Sequence, residues 1–250
     1  MNLCRFSLRD DPETVRSGIF HEQRVYETQG TQALGVYELS KIILLPPVPQ
    51  PPSVKVFDRH EDGTWMYQHR SPHFLMGPLA EFDLPIAVTS LDFNVRVAAV
   101  TKDGGAQIEK HEAEEFLIGY SIYIEFFREE LLSAGHKFDG MTYALPFGLG
   151  PFLTTTDMVL GTPEEAIEEW NIVVKVNGEE VYQETQAPYN LSDFLVQASQ
   201  GISILPGEVI CGPPINKPLL KETSLGRSLV PEDTIQIIHS RIGALTLKIV

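Results

Sequence analysis

Ten residues, Leu91 to Val100, constrain this chain more than any others: they read LDFNVRVAAV. Polar and apolar side chains alternate along them, the pattern of a half-buried β-strand. Asp92, Asn94, Arg96 and Ala98 then face one side of a sheet, and Phe93, Val95, Val97 and Ala99 face the other. Whatever chemistry the strand carries lies on the first face.

The rest of the chain supplies further strands and few helices. LCRFSL, SGIF and QRVYE are strand candidates within residues 1–45, which read as a small β-rich unit. LLPPVPQPPSV follows, with five prolines between Pro46 and Pro52. We read 46–52 as a rigid crossing rather than as a proline-rich ligand for another protein, and 53–250 as a second, larger domain. In that second section VKVF and HFLMGPL are extended pieces, and KDGG after the central strand is a turn. A helix is expected over about 109–117, a strand over 119–124 and a short helix to Leu132. NIVVKVNGEEVYQE is a hairpin, with Asn177-Gly178 suited to a type I′ turn. Asn190 or Ser192 caps a helix to about Gln200. EVICG, DTIQIIHS and ALTLKIV are further strands. No repeat of 20 to 50 residues is visible.

The chain of 250 residues carries 34 acidic and 19 basic residues, a formal net charge of -15. Such a surface argues against a nucleic-acid or anionic-membrane partner. Cys4 and Cys211 sit in no metal-type or redox-type spacing, which fits idle thiols in a reducing cytoplasm. The start, MNLCRFSLRDD, lacks an apolar signal region, and no run approaches the ~20 apolar residues of a membrane span. A cytoplasmic location is expected. There is no GxSxG elbow, no Walker-type loop and no Rossmann glycine pattern.

Taken in order, several segments resemble the fumarylacetoacetate hydrolase family. LDFNVRVAAV resembles its LDYEVELAVV-type strand, and GYSIYIEFFREE its GYTVANDVSARD-type segment. KFDGMTYALPFGLGPFLTT resembles the KSFDTFAPLGPWLVT type, with Gly148 and Gly150 at the family's Gly-Pro turn. VNGEEVYQE, LSDFLVQASQGISILPGEVICGPP and IGALTLKIV resemble the hairpin, the helix with its GDVILTGTP-type strand, and the closing strand. Collinearity over nearly the whole chain carries the resemblance. It implies an α+β, mostly β fold: a mixed, largely parallel-packed β-roll behind a small N-terminal β-rich domain. It also implies hydrolase, lyase or isomerase chemistry on 2-oxo or 1,3-dicarbonyl acids, and a homodimer. In this family Mg²⁺, Mn²⁺ or Ca²⁺ holds the substrate oxygens, a hard Lewis acid on oxygen ligands.

The resemblance places Asn94 and Arg96 at the two positions of the family's Glu-x-Glu clamp. Arg96 stays protonated and cannot ligate. Its charge about 4 Å from a divalent ion would oppose that ion by roughly 8 kcal/mol at an effective dielectric of about 20. No bound metal is therefore expected; if one binds, Asp58, Asn94 and Glu125 are its expected ligands. Glu125 falls at the family's ligand Asp, and Glu129 and Glu130 replace its Arg-Asp pair. Lys137 and Asp139 match its Lys-x-Asp, and His60 falls near its general-base histidine. CGPPINK replaces its Gly-Thr-Pro loop.

Two readings follow for each key group. Arg96 either clamps a substrate carboxylate bidentately, with Asn94 and Asp139 beside it, or pairs with Glu125 and fills a lost metal site. Lys137 either stabilises an oxyanion or pairs with Asp139 or Glu125. His60 is either a general base or an exposed loop histidine. As an enzyme, the chain would use Lys137, Glu125 and His60 on a small oxo-acid or dicarbonyl substrate through a metal-poor site. As a non-catalytic relative, it would be a binding or subunit-pairing module.

Overall fold

The computed structural model describes residues 1–85, 87–135, 145–162, 165–215 and 219–250. Among them the strands are β1 (Asn2–Leu8), β2 (Asp11–His21), β3 (Arg24–Gln29), β4 (Gln32–Glu38), β5 (Ile42–Leu45), β6 (Val54–Arg59), β7 (Trp65–Arg70), β8 (Leu75–Met76) and β9 (Glu81–Phe82). The series continues with β10 (Leu91–Thr101), β11 (Leu117–Arg128), β12 (Phe147–Thr154), β13 (Trp170–Val176), β14 (Glu179–Gln186), β15 (Val209–Cys211), β16 (Thr234–His239) and β17 (Gly243–Ile249). The α-helices are α1 (Glu129–Ser133), α2 (Thr156–Leu160) and α3 (Ser192–Gly201).

Two sheets result. The larger runs β4-β3-β2-β1-β12-β11-β10-β15-β6-β7, with β5 and β8 attached to β1 and β12; the smaller runs β14-β13-β16-β17-β9. The N-terminal strands are thus continuous with the large sheet, because β1 pairs with β12. Residues between β5 and β6 run as an irregular proline-rich segment, and Arg5 donates to the Pro46 carbonyl across it at 2.9 Å.

The expected parallel packing is corrected by the pairings. Only β8–β12, β6–β15 and β9–β17 are parallel among the described residues. The short connections explain this: β13–β14 and β16–β17 are joined by tight turns, which permit only antiparallel partners. Asn177 and Gly178 both have positive φ, as a type I′ hairpin requires.

The main core lies between the two sheets. Val95, Ile122 and Ile124 from the large sheet meet Ile172, Ile237 and Leu247 from the small one, all buried. β12 makes the close approach possible. A Cβ on Gly148 would lie 2.8 Å from Leu247 Cδ1 and 2.9 Å from Ile124 Cγ2, so only glycine fits there. The glycines of the PFGLGPF segment, expected at a turn, therefore lie in a fully buried central strand, Phe147–Thr154. The expected helix over 109–117 reduces to one 3₁₀ turn, Ala113–Phe116, since only one of its four residues is buried and no helical stripe forms. β11 begins at Leu117 and runs on to Arg128. The expected helix is α3, but its N-cap is Leu191 with no side-chain cap bond, so neither Asn190 nor Ser192 caps it; Asn190 Oδ1 accepts from the Ser192 N–H at 2.9 Å.

Candidate functional site

The site begins with the register of β10 against β11. Asn94 lies opposite Glu125, and Arg96 lies opposite Tyr123. All four share the face away from the main core. That face is otherwise packed with Ala98, Val56 and Cys211. A charged side chain there has no water, so it must find acceptors within the protein.

Arg96 does so completely. Its Nε donates to Glu125 Oε1 at 2.9 Å, and Nη1 donates to the carbonyls of Phe57 at 2.8 Å and Gly212 at 2.9 Å. Nη2 donates to Asp58 Oδ1 at 2.9 Å and lies 2.7 Å from Glu125 Oε1. The Arg96 side chain is wholly buried, Glu125 nearly so, and Asp58 is 23% exposed. Burial opposes the guanidinium charge, but the Glu125 and Asp58 carboxylates outweigh it and hold its pKa above the ordinary value. Tyr123 Oη reaches Glu125 Oε2 at 3.4 Å, and burial first, then Glu125, raises that phenol well above its usual range. Two carboxylates and two carbonyls from β6, β11 and the end of β15 thus converge on one guanidinium.

The sequence-predicted residues fall in three groups. Arg96, Glu125 and Asp58 come together, with Asn94 at their edge; its Nδ2 is 3.5 Å from Glu125 Oε1, the outer limit of a hydrogen bond. His60 stands in the β6–β7 turn, 44% exposed, 3.5 Å from Asp62 Oδ1. Lys137 and Asp139 lie outside the described residues. A bidentate substrate clamp needs parallel N–H donors pointing at a ligand; here all three guanidinium nitrogens of Arg96 engage the protein, which is the ion-pair arrangement expected as the second reading.

Asp58, Asn94 and Glu125, the ligands expected for a divalent ion, do not fit one here. Both carboxylates are turned onto Arg96, Asn94 offers its amide nitrogen towards Glu125, and the guanidinium occupies the space between the acids. Among the described residues no three His, Cys, Asp or Glu side chains converge to hold a metal ion.

Two residues of this neighbourhood were not anticipated. Tyr123 is two positions before Glu125 on the same strand face, so counting back along β11 would have found it. Arg70 is buried at the end of β7, opposite Val54, and donates to the Leu145 carbonyl at 3.1 Å. Its strand, WMYQHR, has no clean alternation that would have placed it. Cys211 is buried beside the cluster and its thiol pKa is raised by burial, as a buried structural thiol requires.

Comparison with known proteins decides the family. Residues 52–250 match the model of the fumarylacetoacetate hydrolase C-terminal domain. The chain belongs to the fumarylacetoacetate hydrolase family. Solved structures share the fold over the whole chain. A 5-carboxymethyl-2-hydroxymuconate delta-isomerase from Mycobacterium smegmatis superposes with a TM-score of 0.79 at 17% identity, covering 100% of this chain and 98% of its own. A maleylpyruvate hydrolase from Sphingobium sp. SYK-6, solved with manganese(II) and pyruvate, gives 0.77 at 15% identity, covering 100% and 99%. At such identities the likeness is one of fold. An uncharacterized protein of Pyrococcus horikoshii is 22% identical over 143 residues, 56% of this chain and 62% of that protein. No helix among the described residues is long and apolar enough to cross a membrane. These two neighbours are thus named as an isomerase and a hydrolase, and the hydrolase is shown with manganese(II) and pyruvate.

Proposed function

We propose that this chain is a family member that works without a divalent metal and serves as a binding or subunit-pairing module rather than as a hydrolase. The observation that carries this reading is the engagement of Arg96 by Glu125, Asp58 and two backbone carbonyls. The charge that a metal would bring is supplied by the chain itself. The acids that would hold a metal are neutralised by it, and the guanidinium has no edge left for a substrate carboxylate. In this reading the protein resides in the cytoplasm and pairs as a homodimer.

A second reading keeps catalysis. Glu125 Oε2 accepts from Tyr123 Oη at 3.4 Å, whereas Oε1 lies 2.9 and 2.7 Å from two nitrogens of Arg96, so one carboxylate oxygen is less tightly held than the other. A metal-free enzyme on a small 2-oxo-acid or 1,3-dicarbonyl compound would use that oxygen to move a proton, with His60, Lys137 and Asp139 as the further groups.

Calorimetric titration of metal-stripped protein with Mn²⁺, alone and with pyruvate or oxalate, tests both. The expected result is no saturable binding of metal or acid. Saturable Mn²⁺ binding overturns the metal-free reading. Oxalate binding without metal, together with turnover of a β-dicarbonyl acid, moves the assignment to the metal-free enzyme.

A further inference from the structure

A groove of about 520 Å³ lies between the β6–β7 hairpin and α3, lined by Trp65, Tyr189, Phe194 and Pro213, with Asp193 and Gln197 at its polar end. The Arg96 cluster uses none of these side chains. The groove arises because hairpin and helix are clipped together at two points. Gln197 Nε2 donates to the Trp65 carbonyl at 2.5 Å, and the Trp65 and Phe194 rings meet at 5.1 Å. The two ring planes stand at 88°, the relation of adjoining walls of a box. Phe57 backs the Phe194 ring at 4.8 Å, and Trp170 backs Tyr189 at 5.0 Å, so the Phe194 and Tyr189 rings are each held by a ring behind them.

The polar inventory fixes the charge of a fitting guest. Asn190, which also borders the groove, has its groups spent: Oδ1 accepts from Tyr120 and from the Ser192 N–H, and Nδ2 donates to Glu114. Among the described residues lining the groove, Asp193 is the one that carries a charge, and none is Lys, Arg or His. Glu114 adds a second carboxylate behind Asn190. Lys110 pairs with Asp193 at 2.8 Å, but the two side chains are 78% and 60% exposed, so water and salt compete for that pair. Aromatic faces carry negative charge, and with a carboxylate beside them they attract an organic cation.

We propose that this groove binds a quaternary or alkylated ammonium ion. The cation lies against Trp65, Phe194 and Tyr189, and Asp193 supplies the counter-charge in place of Lys110. The proposal is independent of whether the Arg96 cluster is catalytic.

Choline and its neutral isostere 3,3-dimethyl-1-butanol serve as probes on the full chain, followed by calorimetry and by tryptophan fluorescence. Trp170 is buried and Trp65 only partly so, which makes Trp65 the reporter. Saturable choline binding is expected, with the isostere weaker by tenfold or so. Asp193→Asn should weaken choline severalfold, and Lys110→Ala should strengthen it by freeing the carboxylate. Both positions are exposed, so the variants fold. Absence of saturable choline binding, equal binding of the neutral isostere, or an affinity unmoved in Asp193→Asn would each overturn the assignment.

Discussion

Arg96 does not pair with the residue directly across from it. Its cross-strand neighbour is Tyr123, and the guanidinium reaches diagonally to Glu125, two positions along β11, with Nη2 2.7 Å from Oε1. The diagonal spans a distance that a long side chain covers. It also leaves Asn94, the residue truly opposite Glu125, with only a 3.5 Å contact.

The first prediction concerns stability. Removing Arg96 leaves Glu125 buried and uncompensated, so Arg96→Met should cost about 3–5 kcal/mol in urea unfolding. The double variant Arg96→Met with Glu125→Met should recover most of that loss, because neither charge then remains without its partner. A double variant no more stable than the single one would contradict the pairing.

The second concerns metal. Asn94→Glu with Arg96→Glu restores two anionic oxygen ligands beside Glu125 and removes the cation. That double variant should bind Mn²⁺ saturably in calorimetry where the natural chain does not, since a hard cation needs several oxygen ligands. If neither protein binds Mn²⁺, Arg96 is not what excludes the ion.

The third is a pair of opposed pH effects. Burial first, partly offset by hydrogen bonds from the Leu220 and Phe93 N–H groups, raises Asp92 to about 6. The folded chain therefore holds a proton that the unfolded chain has lost, and stability from this group falls as pH rises from about 4 to 6. Asp92→Asn keeps one acceptor and removes the charge; it should gain about 1–2 kcal/mol at pH 8 and nothing at pH 4. His239 behaves in the opposite sense. Burial, then Arg241, lowers it to about 4, so the unfolded chain takes up the proton first. Stability from His239 falls as pH drops from about 6.5 to 4, by up to about 3 kcal/mol. His239→Phe should flatten that acid-side loss. Urea unfolding at pH 4, 6 and 8 reads all three proteins.

The fourth concerns a second buried charge pair, on the strands that also serve the cluster. Lys55 on β6 and Glu208 just before β15 are both buried and ion-paired, and Lys55 Nζ also donates to Ser53 Oγ at 2.7 Å. Lys55→Met should cost about 3–5 kcal/mol in the same assay, because Glu208 is left without its partner. An unchanged unfolding midpoint would place the Glu208 charge in water instead.

How much of this was legible in the sequence depended on periodicity. β10 shows its two faces directly, since alternation of period two is the geometry of a strand. The Asn177-Gly178 turn was legible for a similar reason: both residues tolerate the positive φ they adopt. β12 was not, because its glycines look like a turn until the neighbouring sheet is in place and Leu247 occupies the missing Cβ. Within the site, the family resemblance located Arg96 and Glu125, and the register brought them together. The Phe57 and Gly212 carbonyls that complete the arginine's bonding have no side-chain signature, so no reading of residue types would have found them.

A metal ion held by a protein is a ligand, and its occupancy follows concentration, competition and chelation. Arg96 is joined to the chain by covalent bonds. The positive charge between Glu125 and Asp58 therefore neither dissociates nor exchanges, and chelators or scarcity of divalent ions leave it in place. The charge at this place is set once, at synthesis, where that of a bound ion is renegotiated with its surroundings.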